Sequence, residues 1–461
     1  VTSSRWAPLA AVAVLVAGPS SSDFATTHGP KTIVLHLLAA ALCWHGGVRR
    51  WGPPEGLLLA ALCSALISAV WGSSGPAALA PLFTLGAAGA FALGVSGVED
   101  RERWLRWLGY AAVALALIAL VEIMGLIDLV PRGRAPASLM GQRNTLAHVL
   151  VLISPAVWWL ALERRRWLMA AGLLAAVVLA TRSRAGWVVG AGVLPLFVAL
   201  VKTRASLRVA AAVGVGVVVA GLAPTALLWS RGRPYLDTLG RLLDTSRGSG
   251  AGRLREWSES AALALVRPVF GSGPGAWFAE YGVRHDGDHF AHSDLVGVLV
   301  ERGGLGLVLW VALGVGLVVW RKAPEVRCTV IAAGALGALD AVLQLPAALV
   351  VVVVVAFAGA RRDLPSASQH SLRWLSVPLV LGAIVATLAW SSRLLSTSAG
   401  VTPARLEQAA LLDPFDGELR VQLAEVWISA GDCSRAAVHL ERARALLPRH
   451  PRLGELQAAC P

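Results

Sequence analysis

Long runs of apolar residues, each near the ~20 that a helix needs to cross the hydrocarbon core of a bilayer, govern what this chain can fold into. About thirteen can be read, near 6–21, 31–48, 56–72, 76–98, 104–127, 144–162, 166–181, 185–201, 207–229, 304–320, 326–343, 345–360 and 373–395. The expected class is all-α: a polytopic membrane helix bundle of about 12–13 spans, with one large outer loop and a small C-terminal helical-repeat tail. Composition agrees. Of 461 residues 56% are hydrophobic and only 15% are charged, whereas soluble domains keep roughly a quarter charged. The first run, "SRWAPLAAVAVLVAGPSSS", has a basic start and a short apolar core, so it reads either as a span or as a signal peptide.

The formal charge of +13 raises nucleic acid as a partner. The basic residues come instead as short clusters between apolar runs, the pattern of topology determinants. Counting from a cytoplasmic N-terminus, the clusters Arg49–Arg50, Arg101/Arg103/Arg106, Arg164–Arg165–Arg166, Lys202/Arg204/Arg208, Arg321–Lys322/Arg327 and Arg361–Arg362 all fall on one side. The positive-inside rule makes that side the cytoplasm. Residues 230–291 and the tail after 395 then lie outside. The organisation expected is membrane helices over 1–229, an outer loop over 230–303, further membrane helices over 304–395 and a tail over 403–461.

Some arginines break this pattern. Arg132, Arg134 and Arg143 lie in the outer loop 128–143, and Arg182 and Arg184 in the outer turn "TRSRAGW". One reading is snorkelling to anionic headgroups of the surrounding lipids. The other is an anionic substrate, because guanidinium forks match phosphate oxygens in pairs. Asn144 and His148, four apart, share a helix face at the same level. Glu122 and Asp340 also sit towards the outer ends of their spans, as functional acids or as partners of these arginines.

The outer loop carries the densest polar chemistry. "DTSRGSGAGR" reads as flexible. After it, Leu254, Trp257, Ala261 and Leu265 recur at helical spacing up to Pro268, which marks an amphipathic helix on the membrane or against the bundle. Arg253 and Arg255 stand at its start. "FGSGPGAWF" turns the chain on its glycines. His285, His289 and His292 with Asp286, Asp288 and Asp294 offer zinc ligands, but H-x3-H-x2-H is not a familiar zinc spacing, so no metal is expected. The five cysteines form no CxxC pair, and no nucleotide-binding loop is present. From Asp294 to Trp320 one helix would run ~40 Å, more than the core requires. A break is therefore expected at Gly303, Gly304 or Gly306, with 292–302 dipping in from outside, His292 at its mouth and Glu301 buried at the break.

These elements together resemble the O-antigen ligase/polymerase family over roughly 140–320. His292, Glu301, Gly303 and Gly306 fall in the register of that family's His-Asn, Glu and Gly-x-x-Gly. "GRLREW", "PVFGSGPGAWF", "SRAGW" and "GQRNTLAHVL" resemble its other elements, and Ser293 departs from it by replacing the usual Asn. The resemblance implies an inner-membrane glycosyltransferase of the bacterial cell envelope. It would take a glycan from undecaprenyl diphosphate at the periplasmic face and pass it to lipid A-core or to growing polysaccharide. No cofactor is expected, because a glycosyl diphosphate carries its own activation. His292 is then the base, and Glu301, at the break where it can hold a neighbouring arginine, counts as the second catalytic residue. Arg184 and Arg253 bind the diphosphate, with Arg182, Arg143 and Arg255 as second choices and Asn144 nearby. A protein oligosaccharyltransferase would share these features. A transporter or flippase should show paired repeats and a midplane site instead.

In the tail, Leu406, Glu407, Ala409 and Pro414 recur 34 residues later as Leu440, Glu441, Ala443 and Pro448, the tetratricopeptide period. One unit runs from Gly417 to His450, and "TPARLEQAALLDP" reads as the second helix of a preceding one. So short an array must pack on the membrane domain or on a protein partner. Cys433 and Cys460 lie on the oxidising side, where a disulfide can form.

Overall fold

A computed structural model describes residues 7–17, 24–45, 47–48, 52–96, 100–127, 129–130, 136–227, 238, 249–280, 292–358, 370–371, 373–397, 401–448 and 450–460. Every one of the thirteen apolar runs contains a helix. They are α1 (Ala7–Val16), α2 (Phe24–His45), α3 (Pro53–Trp71), α4 (Leu79–Ser96), α5 (Arg101–Ile123), α6 (Arg143–Glu163), α7 (Trp167–Ala180), α8 (Arg184–Val201) and α9 (Arg204–Leu227) in the first part. After the outer-loop helices α10 (Ser249–Val266) and α11 (Ala276–Glu280) come α12 (Asp294–Trp320), α13 (Pro324–Leu339), α14 (Pro346–Phe357) and α15 (Ser376–Thr397). Seven of the described helices are long and apolar enough to cross a membrane. The chain is an all-α, multi-pass membrane bundle. The first run is part of it, since Val14 and Leu15 of α1 are fully buried.

Helix α6 is the hub. It packs against α5, α7, α8, α13 and α14, and 89% of its apolar window is buried, as expected of a helix that is hydrophobic all round. Small residues set its approaches: a Cβ on Gly186 of α8 would stand 2.9 Å from the Ala147 Cβ of α6.

The two ends of the bundle differ in chemistry. At one end, Arg101 Nη1 lies 2.6 Å from Glu325, Arg321 pairs with Glu55 at 3.4 Å and Arg164 with Glu102 at 3.5 Å. Three of the basic clusters thus share this end, where α3, α5 and α13 begin and α6 and α12 finish. The opposite end gathers the starts of α6, α8 and α12, the finish of α13 and the loop helix α10.

Helix α12 is broken where expected. Gly303 has φ +66° and ψ −170°, so Asp294–Arg302 forms a short helix ahead of the longer one. The glycine loop fills the break. The Ser272 and Gly273 N–H groups donate to the Val300 and Glu301 carbonyls at 2.9 Å each, and Gly304 N–H donates to Pro268 O at 2.7 Å. Gly271, Gly273 and Gly275 all have positive φ, so this loop is open to glycine alone.

Helix α10 corrects one reading and refines another. It begins at Ser249, inside the stretch expected to be flexible. Its buried face carries polar residues: Glu256 and Ser260 are buried along with Ala264, while Leu254 and Leu265 are 49% and 77% exposed. Of the apolar stripe, Leu254, Ala261 and Leu265 face away from the bundle, while Trp257 is half-buried and turns inward with the polar face.

The tail is four helices, α16 (Pro403–Leu412), α17 (Gly417–Ser429), α18 (Cys433–Leu446) and α19 (Arg452–Ala459). α17 and α18 pair over the stretch read as one unit. Cys433 and Cys460 form a disulfide with Cα atoms 5.4 Å apart, within the ordinary range. Leu446 and Leu447 pack on Phe278 and Ala279 of α11, so the tail rests on the loop.

Candidate functional site

Asp340 is the centre of the polar end. It follows the last turn of α13, and Arg253 of α10 reaches it from the loop, Nη2 donating to Oδ2 at 3.0 Å and Nη1 to Leu339 O at 3.0 Å. His292 Nδ1 lies 3.4 Å from Asp340 Oδ1, and His148 Nε2, on α6, lies 4.0 Å from Oδ2. One carboxylate thus meets one guanidinium and two imidazoles contributed by three other elements.

The loop helix fixes His292 by its backbone. The His292 N–H donates to Glu256 Oε1 at 2.6 Å, and Trp257 Nε1 donates to His292 O at 3.3 Å. Residues 253, 256 and 257 share a helix face by their spacing, so "GRLREW" is one clamp. Ser293 caps α12, its Oγ accepting from Val296 N–H at 3.3 Å and donating to Gly337 O at 3.3 Å. A hydroxyl does here what a short amide side chain also does at a helix start, which accounts for the departure from Asn. Asp294 Oδ2 accepts the Val342 and Leu343 N–H groups at 3.0 and 2.8 Å, tying the start of α12 to the turn after α13.

Electrostatics follow from this packing. The hydrogen bond to Asp340 favours the imidazolium and raises the His292 pKa above the usual imidazole value, against the pull of burial. Burial opposes ionisation of Asp340, but the hydrogen bond from His292 and the charges of His148 and Arg253 outweigh it and hold the carboxyl below its ordinary range. The His292 side chain keeps 39% exposure against 12% for Asp340, so the imidazole is the member open to a substrate.

The outer arginines stand at the same end of the bundle. Arg143 opens α6 and Arg182 precedes α8, close enough for their charges to oppose one another. Among the described residues neither has an acidic partner. Arg184 is the first residue of α8, capped by Ser183. Trp187 Nε1 donates to the Val178 and Leu179 carbonyls at 3.1 Å each, so "SRAGW" locks the α7–α8 corner that presents both arginines. Asn144 shares the first turn of α6 with Arg143.

The remaining expected residues sit elsewhere. Glu301 is at the break of α12, where Oε1 accepts from Gly275 N–H at 2.9 Å. It therefore holds the glycine loop and does not join His292. Arg255 is exposed on the other face of α10. Arg253, expected on an anion, turns to Asp340. Among the described residues Glu122 pairs with no arginine; it accepts the Ala137 and Ser138 N–H groups at 2.7 and 2.9 Å and steadies the turn into α6. Arg132, Arg134, His285 and His289, with Asp286 and Asp288, lie outside the described residues, as does much of 230–291. Glu256 was not singled out in the sequence, although its place one turn after Arg253 is the signal for it.

Residues 169–311 match the family model of the O-antigen ligases, which bears out the family resemblance over that stretch. The match takes in Arg182, Arg184, Arg253, Glu256, His292 and Glu301. Asp340, His148 and Arg143 lie beyond it and join the site through the fold. No curated protein matches the chain.

Proposed function

We propose, from the O-antigen ligase match together with the His292–Asp340 pair, that this chain is a membrane glycosyltransferase. It moves a glycan from undecaprenyl diphosphate to an acceptor hydroxyl at the periplasmic face of a bacterial inner membrane. The acceptor is lipid A-core sugar in a ligase and another lipid-linked glycan in a polymerase.

The observation that carries this reading is a half-exposed imidazole oriented by a buried carboxylate. With Nδ1–H donating to Asp340, Nε2 is the basic nitrogen. It takes the acceptor's proton as the hydroxyl oxygen attacks the anomeric carbon. The bond from that carbon to the diphosphate oxygen breaks, and the diphosphate leaves with the negative charge. Arg143 and Arg182, two opposed cations, gain most from such an anion, and Arg184 stands at the same corner. Arg253 acts through Asp340, and Glu301 through the glycine loop. No step needs a metal or a nucleotide.

The test is complementation of a knockout by variants, read by electrophoresis of surface glycans. His292→Ala should lower transfer by ~10²–10⁴-fold, the range of a positioned base, with membrane insertion intact. Arg255→Ala should leave it near normal. Near-normal transfer in His292→Ala overturns the assignment. In the knockout itself, loss of all long chains marks a ligase, and core capped by a single repeat marks a polymerase.

A further inference from the structure

At the end of the bundle away from His292, a crevice of about 500 Å³ opens between the finishes of α6 and α8, the start of α9 and the start of α13. Trp159, Leu162, Leu200, Val201, Ala205 and Pro324 line it together with Thr203, so its wall is mainly apolar. Its size is that of a small-molecule site, ~300–1,000 Å³. The mouth is charged. Glu163 and Arg164 follow Leu162, Lys202 and Arg204 alternate with Val201, Thr203 and Ala205 in the α8–α9 turn, and Lys322 lies two residues before Pro324 with Glu325 directly after it. Arg164 is matched by Glu102 and Glu325 by Arg101. That leaves Lys202, Arg204 and Lys322 against Glu163, a cationic rim with an apolar floor.

We propose that this crevice binds an acidic phospholipid from the leaflet at that end, one acyl chain on the apolar wall and the phosphate at Lys202 and Arg204. Both α6 and α8 are spans by length and composition, so the crevice lies where two spans leave the bilayer. The molecules with long apolar chains that meet it there in quantity are that leaflet's lipids. Between zwitterionic and anionic lipids, the unmatched rim selects the anionic one, as basic pockets between membrane helices do. The site is separate from the His292 group and does not depend on the reaction proposed above.

Native mass spectrometry of the full chain in detergent tests this with phosphatidylglycerol, phosphatidylcholine and the chain-free headgroup glycerophosphoglycerol. The wild-type chain should retain phosphatidylglycerol in preference to phosphatidylcholine, and glycerophosphoglycerol should not displace it. Lys202→Ala/Arg204→Ala, at two exposed positions, should lower phosphatidylglycerol retention by ~25-fold, about fivefold per surface cation. Ala205→Trp, which fills the floor, should lower retention of both lipids. Equal retention of the two lipids, or retention unchanged in the double variant, overturns the proposal. Displacement by the headgroup alone also overturns it, in favour of a simple phosphate site.

Discussion

His292 and Asp340 are 48 positions apart in sequence and meet because the start of α12 is sewn to the turn after α13. Two consequences follow. Neutral imidazole is the working base, so transfer should rise with pH through a midpoint above the unperturbed value of ~6.5, since Asp340 raises the His292 pKa. Asp340→Asn should move that midpoint to lower pH and cut the plateau by ~10²-fold. A pH–rate profile that keeps its midpoint in Asp340→Asn would remove Asp340 from its positioning role. The linkage to stability has a definite sign. A raised histidine pKa stabilises the fold fully below ~6.5 and ceases to do so as pH climbs through the folded value. The depressed Asp340 pKa stabilises it above ~3.9, and that contribution is lost as pH falls through the folded value. Individual roles were the least legible part of the sequence. Arg253 reads as an anion ligand until Asp340 is seen beside it, and no local pattern shows that a residue after α13 will meet a residue before α12.

Elements were far more legible, because their signals are local. Apolar runs gave the helices, and ~40 Å of continuous helix against a ~30 Å core gave the break in α12. The face of α10 was not legible in the same way. Hydrophobic periodicity marks an apolar stripe but does not say whether it turns to protein or to lipid, and here Glu256 and Ser260 turn inward because His292 N–H and Trp277 supply partners. The break makes a sharp prediction. Gly303 has φ +66°, and a Cβ there would collide with the Val269 backbone; Gly314, lower in the same helix, has nothing within 4 Å. Gly303→Ala should cost ~1–3 kcal/mol of strain or more and loosen the loop against Glu301. Gly314→Ala should be neutral or stabilising by up to ~1 kcal/mol. Thermal unfolding in detergent reads both, and equal midpoints would mean the break tolerates a side chain.

At the scale of the molecule, one hub helix organises two unlike ends, and the tail is tied to the end that holds His292. The disulfide closes the chain from Cys433 to Cys460, a separation of 27 residues, and such a link stabilises typically by ~2–4 kcal/mol. Cys433→Ala/Cys460→Ala should therefore speed proteolysis of α18 and α19, with the membrane helices unaffected; an unchanged cleavage rate would make the link dispensable. A thiol bridge also belongs to an oxidising compartment, the same side that the arginine alternation assigns to α10 and the tail. The two arguments are independent, and one experiment joins them. Arg255 on α10 and Arg165 after α6 are both exposed and lie at opposite ends of the bundle. Cys43 and Cys328 are buried, and Cys63 is the one exposed free thiol among the described residues. With Cys63 replaced by Ser, an impermeant maleimide applied from the periplasmic side should label Arg255→Cys in intact spheroplasts, and Arg165→Cys only after lysis. Labelling in the reverse order would put His292 in the cytoplasm, out of reach of a donor displayed on the other face, and the transferase reading would fall with it.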